Sequence, residues 1–396
     1  MKVDPMRSCS RILIGSIALA LVTSPVAAQS ELPALEKPSQ VLFWSQDARE
    51  AGFRAMERIV PHRVIKAGDR VHALPAGDTL PLDVDAYMQS EHTAGILVLQ
   101  DGYVRFERYG LGFDPQGRWT SFSVAKSLTS TLVGAAIKDG YIESLETPIV
   151  RYLPELAGSA YDGVTVRQLL TMTSGADWNE DYTDPDADVA RFFEPHETDG
   201  MDPTLHYMRQ LGRAAAPGTR WHYSTGETNL VGVLLTRATG KPLADYLSQK
   251  LWQPYGMEQD SGWMIDAAGQ EASGCCVIAT LRDWGRVGQF ILDGGQIDGQ
   301  SILPDGWLEQ ATTKQADIGE EGEGYGFQWW THDNGRFGAY GIFGQSITID
   351  PQRRTVVVIL SAWPTATGRS KARQALLQQI ADAVDVAPQA SSATSQ

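Results

Sequence analysis

Two kinds of apolar patterning alternate along the chain. In "AGILVLQDGYVRFERYG" apolar and polar positions alternate on either side of Gln100-Asp101-Gly102, which predicts a β-hairpin. From Ser121 to about Tyr255 the spacing becomes helical, broken by loops. Here "SVAKSLTSTLVGAAIKDG" predicts a helix ending on Gly140, and "TVRQLLTMTSG" a short helix stopped by Gly175. "TNLVGVLLTRATGKPLADYLSQKLWQPYGM" predicts two helices separated at Gly240. The last third returns to strands in "YGFQWWTHD", "RFGAYGIFGQSITIDP" and "RRTVVVILSAW". Turns at Asn334-Gly335 and Pro351-Gln352 would join them into an antiparallel meander. A helix, "RSKARQALLQQIADAV", follows. Residues 29–90 read as an irregular lead-in with one helical stretch, "SQDAREAGFRAMERIV".

Strands thus come from both ends of the chain, with a helical block between them. This pattern predicts an α+β fold: one antiparallel sheet flanked by helices and joined to a mainly helical lobe. The sheet lobe would comprise about 29–120 and 260–385, and the helical lobe about 121–259. The cleft between the lobes is the natural place for a site. The tail "APQASSATSQ" is expected to be disordered, over about 386–396.

Composition narrows the function classes. The apolar and charged fractions are those of a globular protein. The formal net charge of −15 argues against nucleic acid or an anionic membrane surface as a partner. At the N-terminus Lys2, Arg7 and Arg11 accompany the short apolar run "ILIGSIALALV", followed by "SPVAAQS". This is a signal-peptide pattern with cleavage expected after Ala28, so a periplasmic or secreted location without stable membrane insertion is expected. Cys275 and Cys276 are adjacent, which leaves open two reduced thiols or a vicinal disulfide. No zinc-ligand spacing occurs, and no metal or organic cofactor is called for.

Three stretches could carry chemistry. In "SFSVAKSLTSTLVG", Ser123 stands three residues before Lys126, so the two share one helix face. A serine needs a base, and a lysine is one only if its pKa falls from about 10.4. The same pair also suits an ordinary helix start. In "PGTRWHYSTGETNLVG", Tyr223 could relay protons, or could be a buried tyrosine with a satisfied hydroxyl. His222 as partner of a serine is disfavoured by the lack of a Gly-x-Ser-x-Gly elbow. In "GAYGIFGQSITID", Gly338, Gly341 and Gly344 interrupt a strand, marking either close approach of a ligand or a bulge. The long acidic segment "NEDYTDPDADVARFFEPHETDGMDPT" has the length of a functional loop.

Together, and in this order, these stretches resemble the serine β-lactamase and penicillin-binding-protein superfamily. "LLTMTSGADWNEDYTDP", "ATLRDWGRVGQFILDGG" and "GYGFQWW" extend the resemblance over about residues 40–385. Within the superfamily the chain is similar to the class C-like hydrolases, the esterases and 6-aminohexanoate-dimer hydrolases. The resemblance implies Ser123 as acylated nucleophile, Lys126 as its base and Tyr223 as the second-motif tyrosine. It places Ala339-Tyr340-Gly341 where the family has Lys-Thr-Gly, and implies an oxyanion hole from the Ser123 and Ile342 backbone N–H groups. It also implies that Tyr182 contacts the scissile amide. Asp181 and Asp184 flank it and could meet a substrate ammonium, or could simply make turns. Tyr340 and Gly341 would contact substrate.

Two departures bear on substrate. Thr225 replaces the asparagine often found in the second motif, and Ala339 replaces the third-motif lysine. Loss of that fixed cation should weaken binding of a β-lactam carboxylate. The expected function is therefore an exported serine hydrolase acting on a small ester or linear amide. β-Lactam or peptidoglycan-peptide turnover, and a non-catalytic binding or sensor protein, are the alternatives.

Overall fold

A computed structural model describes Met1, residues 37–195 and residues 197–387. The expected signal peptide, and the expected tail from residue 388 onward, lie outside the described residues. Seven antiparallel strands form the main sheet, in the spatial order Tyr103–Tyr109, Thr93–Gln100, Thr355–Ser361, Ser346–Asp350, Phe337–Tyr340, Trp330–His332, Glu323–Tyr325. The hairpin read at Gln100-Asp101-Gly102 closes through positive φ at Asp101 (51°) and Gly102 (80°), as a tight primed turn requires.

The central strands are near-continuous apolar runs because both of their faces are covered. Strand Thr355–Ser361 pairs with Thr93–Gln100 in the register Val356↔Leu99, Val357↔Val98, Val358↔Leu97, Ile359↔Ile96. Leu97, Leu99, Val356 and Val358 join the main core, beneath the helix Leu281–Leu292. Ile96, Val98, Val357 and Ile359 point the other way, against Leu376, Leu377, Ile380 and Val384 of the helix Ser370–Val386. Period-two alternation therefore splits one apolar run between two helices. Gly288 is required where the inner helix meets the sheet, since a Cβ there would lie 2.3 Å from Val356 Cγ1.

The helical block centres on two long helices packed together, Val124–Lys138 and Thr225–Thr239. The first is buried over nearly its whole length, Val124 to Ala136. The second ends on Gly240 in the left-handed conformation (φ 67°), as the sequence predicts.

Three readings need correction. Residues 29–90 are not merely a lead-in: His62–Ile65 is a strand, and Asp85–Ser90 a helix. That strand belongs to a second sheet, ordered His62–Ile65, Ser261–Met264, Val277–Ala279, Trp119–Thr120, so one sheet was too few. These strands are two to four residues long and come from distant segments, which leaves periodicity too few positions to register. "RFGAYGIFGQSITIDP" is also not one interrupted strand. Phe337–Tyr340, which contains Gly338, and Ser346–Asp350 are neighbours in the sheet, and Gly341 and Gly344 lie in the turn between them.

Buried Gln345 holds that turn. Its amide nitrogen donates to the Phe343 and Ser361 carbonyls at 3.2 and 2.7 Å. Its oxygen accepts from Ser361 N and Trp119 Nε1, both at 3.1 Å. Gln345→Leu would orphan several buried groups, each costing about 1–3 kcal/mol. Urea unfolding should show a loss of roughly 3 kcal/mol. A change below about 0.5 kcal/mol would refute this role for Gln345.

Candidate active site

Ser123 opens the helix Val124–Lys138, but its hydroxyl makes no capping hydrogen bond to the helix. It accepts instead from Lys126 Nζ at 3.0 Å. A capping serine would instead spend its hydroxyl on the backbone of the first turn. Phe122, just before, has φ 43°, a strained value for a non-glycine residue. Its carbonyl is tied down by Ala125 N at 3.1 Å and Cys276 N at 3.4 Å.

Lys126 is 1% exposed. Besides Ser123, its Nζ donates to Thr225 Oγ1 at 3.0 Å and to the Gly274 carbonyl at 2.6 Å. Burial lowers its pKa to about 8, against an opposing pull from the Glu180 carboxylate. Tyr223 lies alongside, with Lys126 Nζ 5.1 Å from its ring centre. Burial and the Glu180 charge hold the Tyr223 phenol well above its ordinary pKa, while neighbouring Ser123 pulls it down.

Glu180 is the functional candidate that sequence reasoning missed. Its carboxylate accepts from Thr225 N at 2.9 Å and from the Thr225 hydroxyl, and from Tyr182 Oη at 2.7 Å. Thr225, noted in the sequence only as a departure, therefore bridges Lys126 to Glu180. The available signal was an acidic residue two places before Tyr182, masked by four nearby aspartates in the same loop. Asp181 and Asp184 take the turn-making role. Asp181 Oδ1 accepts from Thr183 N and Oγ1 at 2.8 and 2.7 Å, and Asp184 Oδ1 accepts from Asp186 N at 2.9 Å. Neither lines the cavities described next. His222 bonds the Trp178 carbonyl and is likewise absent from both walls.

Two cavities meet at Ser123, Tyr182 and Ile342. One, of about 340 Å³, is mostly apolar, with Val41, Leu42, Val189 and Phe193 among its walls. The other, of about 890 Å³, is the more polar of the two and runs past Tyr223, Trp330 and Tyr340 toward the helix Ser370–Val386. Trp330 thus faces the cleft, whereas Trp329 is buried in the core. Cys275 and Cys276 form a vicinal disulfide on the wall of the apolar arm. Gly341 closes the site from the sheet side: a Cβ there would lie 2.7 Å from Ser121 O and 3.0 Å from Ser123 N. Only glycine lets this strand end press on the Ser123 backbone. Among the described residues, neither Ser123 N nor Ile342 N donates to a backbone acceptor. No cluster of three or more His, Cys, Asp or Glu residues that could hold a metal occurs among the described residues.

The family model for β-lactamase matches residues 83–381. The chain belongs to the β-lactamase family. It is 34% identical over 299 residues to the 6-aminohexanoate-dimer hydrolase of Paenarthrobacter ureafaciens, covering 71% of this chain and 76% of that one. It is 31% identical over 150 residues to esterase EstB of Burkholderia gladioli, covering 36% and 37% of the two chains. A solved Bacillus anthracis structure, of a candidate 6-aminohexanoate-dimer hydrolase, superimposes with a TM-score of 0.76 at 23% identity. That likeness covers 86% of this chain and 96% of the other. A class C β-lactamase superimposes with a TM-score of 0.58 at 17% identity over 75% and 94% of the chains. The chain is thus a hydrolase of a serine-hydrolase family, with the expected α+β architecture. Among the described residues no helix is long and apolar enough to cross a membrane.

The buried lysine predicts a pH signature in stability. With a folded pKa of about 8 and an unfolded value near 10.5, the unfolded chain binds the extra proton between those limits. Lys126 therefore makes stability rise with pH across that window, by about 1.4 kcal/mol per unit. Chemical unfolding of wild type and Lys126→Met from pH 7 to 10.5 should show the difference between them changing with that slope. A pH-independent difference would contradict a depressed Lys126 pKa.

Proposed function

We propose that the chain hydrolyses a small ester or linear amide through an acyl-enzyme on Ser123. The observation that carries this reading is the short contact between Ser123 Oγ and the buried, pKa-depressed Lys126 Nζ. Neutral Lys126 has two N–H donors and one lone pair. The Gly274 carbonyl can only accept, and the Thr225 hydroxyl, donating to Glu180, accepts from Lys126. Both N–H bonds are then committed, and the lone pair is left for the Ser123 hydroxyl proton.

Ser123 attacks the carbonyl as Lys126 takes its proton. The tetrahedral oxyanion is received by the Ser123 and Ile342 N–H groups. Tyr223, held protonated by burial, passes a proton to the leaving alcohol or amine and is reprotonated from Lys126. Water then attacks the acyl-enzyme by the reverse proton path. Tyr223 lines the polar arm but not the apolar one, so the leaving group departs along the polar arm and the acyl group occupies the apolar arm. The names of the amide-hydrolase and esterase relatives support this substrate class. Ala339, in place of a lysine, disfavours a β-lactam. We further propose export with removal of residues 1–28, in keeping with a disulfide at Cys275–Cys276.

Mature protein should turn over p-nitrophenyl butyrate or a linear 6-aminohexanoate dimer far faster than nitrocefin. Ser123→Ala should lose at least about 10⁴-fold in kcat, and Tyr223→Phe about 10²–10⁴-fold. Full activity in Ser123→Ala would refute the mechanism.

The pH profile follows from Lys126. Acylation should rise with pH through about 8 as the amine loses its proton. The Glu180 charge raises that pKa, so Glu180→Gln should move the acid limb to lower pH. Rates of fluorophosphonate labelling across pH 5–10 read this directly. A limb unmoved or moved upward would exclude Glu180 as the controlling charge.

A further inference from the structure

The Cys275–Cys276 disulfide borders the space assigned to the acyl group, and the proposed reaction does not use it. The two residues are 8% and 7% exposed, and both line the apolar arm. Asp266 is the one charged residue on that wall, and its Oδ1 accepts from Ala268 N and Gln270 N at 2.9 Å, within its own turn. The arm holds about 340 Å³, roughly ten times the volume share of one water. That is more room than a butyryl group needs, behind a wall that suits a linear hydrocarbon chain.

The backbone on both sides of the disulfide is pinned. Cys275 N donates to Ala272 O at 3.0 Å, and Cys275 O accepts from Trp263 Nε1 at 3.1 Å. Cys276 N donates to Phe122 O at 3.4 Å, and Cys276 O accepts from Met264 N at 3.1 Å. Before the pair, Gly274 O holds Lys126; after it, Val277 N donates to Ser121 Oγ at 3.0 Å. Breaking the S–S bond would still force the two sulfurs apart. Bonded sulfurs sit about 2.05 Å from each other, and heavy atoms in non-bonded contact about 3.5–4.0 Å. With the peptides held, the separation falls to side-chain rotation, and the open space beside the sulfurs is the arm itself.

We propose that the Cys275–Cys276 disulfide sets which acyl groups the enzyme accepts, and that its reduction closes the arm to long chains. This rests on the acyl-enzyme reading, which places the acyl group in the apolar arm. The reductant is a dithiol small enough to enter the arm. Its thiolate attacks one cysteine sulfur and displaces the other as a thiolate, which takes up a proton. The second thiol of the reductant then displaces the first cysteine, leaving a cyclic disulfide of the reductant. Two electrons and two protons pass to the protein. In the reduced state one Sγ turns into the arm and takes the volume that the distal carbons of a long acyl chain need.

The test compares p-nitrophenyl acetate, butyrate, hexanoate and octanoate on mature protein, either oxidised or treated with dithiothreitol and desalted without oxygen. Iodoacetamide labelling and peptide mapping report the state of Cys275 and Cys276. The oxidised enzyme should accept hexanoate or octanoate at least as well as acetate. Reduction should lower the kcat/KM ratio of that longer ester to acetate by at least about 10-fold, with acetate itself changed by less than about threefold. Reoxidation with diamide should restore the ratio. Cys275→Ala/Cys276→Ala should show one acyl profile with and without dithiol. An oxidised enzyme that rejects both longer esters, a ratio unmoved by reduction, or a disulfide that dithiothreitol leaves intact would each overturn the proposal. Equal losses on acetate and the longer ester would also overturn it, since the disulfide would then only hold the Gly274 segment. Should the double variant fail to fold, the wild-type ratios decide alone. Failure of the mechanism is separate: no ester would turn over in either state, and Ser123 would not react with a fluorophosphonate.

Discussion

The site depends on keeping one amine dry. Lys126 Nζ lies in the core of the helical block, where a charge is costly unless it is fully hydrogen-bonded. Three segments meet it: its own helix start at Ser123, the start of the Thr225–Thr239 helix, and the carbonyl of Gly274. Burial alone would push the amine toward neutrality, and the Glu180 carboxylate, reached through Thr225, moderates that push. A second carboxyl nearby, Glu227, is fully buried and raised to about 8, so at neutral pH it stays mostly protonated and adds little opposing charge. With a pKa of about 8 the lysine is mostly protonated at neutral pH and loses its proton just above it, in the range that the proposed general base needs.

The surrounding architecture serves this geometry. The Gly274 carbonyl sits on a loop pinned from several sides: Ser273 Oγ donates to Thr228 O at 2.9 Å, and Thr129 Oγ1 to Ser273 O at 2.8 Å. The Cys275–Cys276 disulfide follows directly, so one short segment both holds the lysine and walls the apolar arm. Opposite, the Gly341–Gly344 turn is fastened by Gln345 and pressed against Ser121–Ser123 by the missing side chain of Gly341. Three non-glycine residues have positive φ here: Phe122, which precedes Ser123, and Cys276 and Phe343, which contact Phe122. Strain of this kind persists only where neighbouring contacts over-determine the backbone.

What the sequence made legible follows from locality. The hairpin at Asp101-Gly102, the helix stop at Gly240 and the C-terminal helix each rest on a few adjacent residues, and the chain folds there as patterned. Ser123, Lys126 and Tyr223 came from motif order, and the structure brings all three together. Tyr182, Tyr340 and Gly341 line the polar arm, whereas Asp181 and Asp184 make turn hydrogen bonds. Glu180 was illegible because nothing in its own segment marks it. It acquires its meaning from Thr225, 45 residues away. The four-stranded sheet was hidden for the same reason: its strands are too short to show a period, and their partners are remote.

The central claim is that a buried lysine makes Ser123 a nucleophile that carries the acyl group. The most direct test is to acid-quench the enzyme during turnover of p-nitrophenyl butyrate and map the modified peptide by mass spectrometry. The account predicts a butyryl group on Ser123, formed in wild type and absent in Lys126→Ala. Turnover with no acyl adduct, or an adduct on another residue, would contradict it.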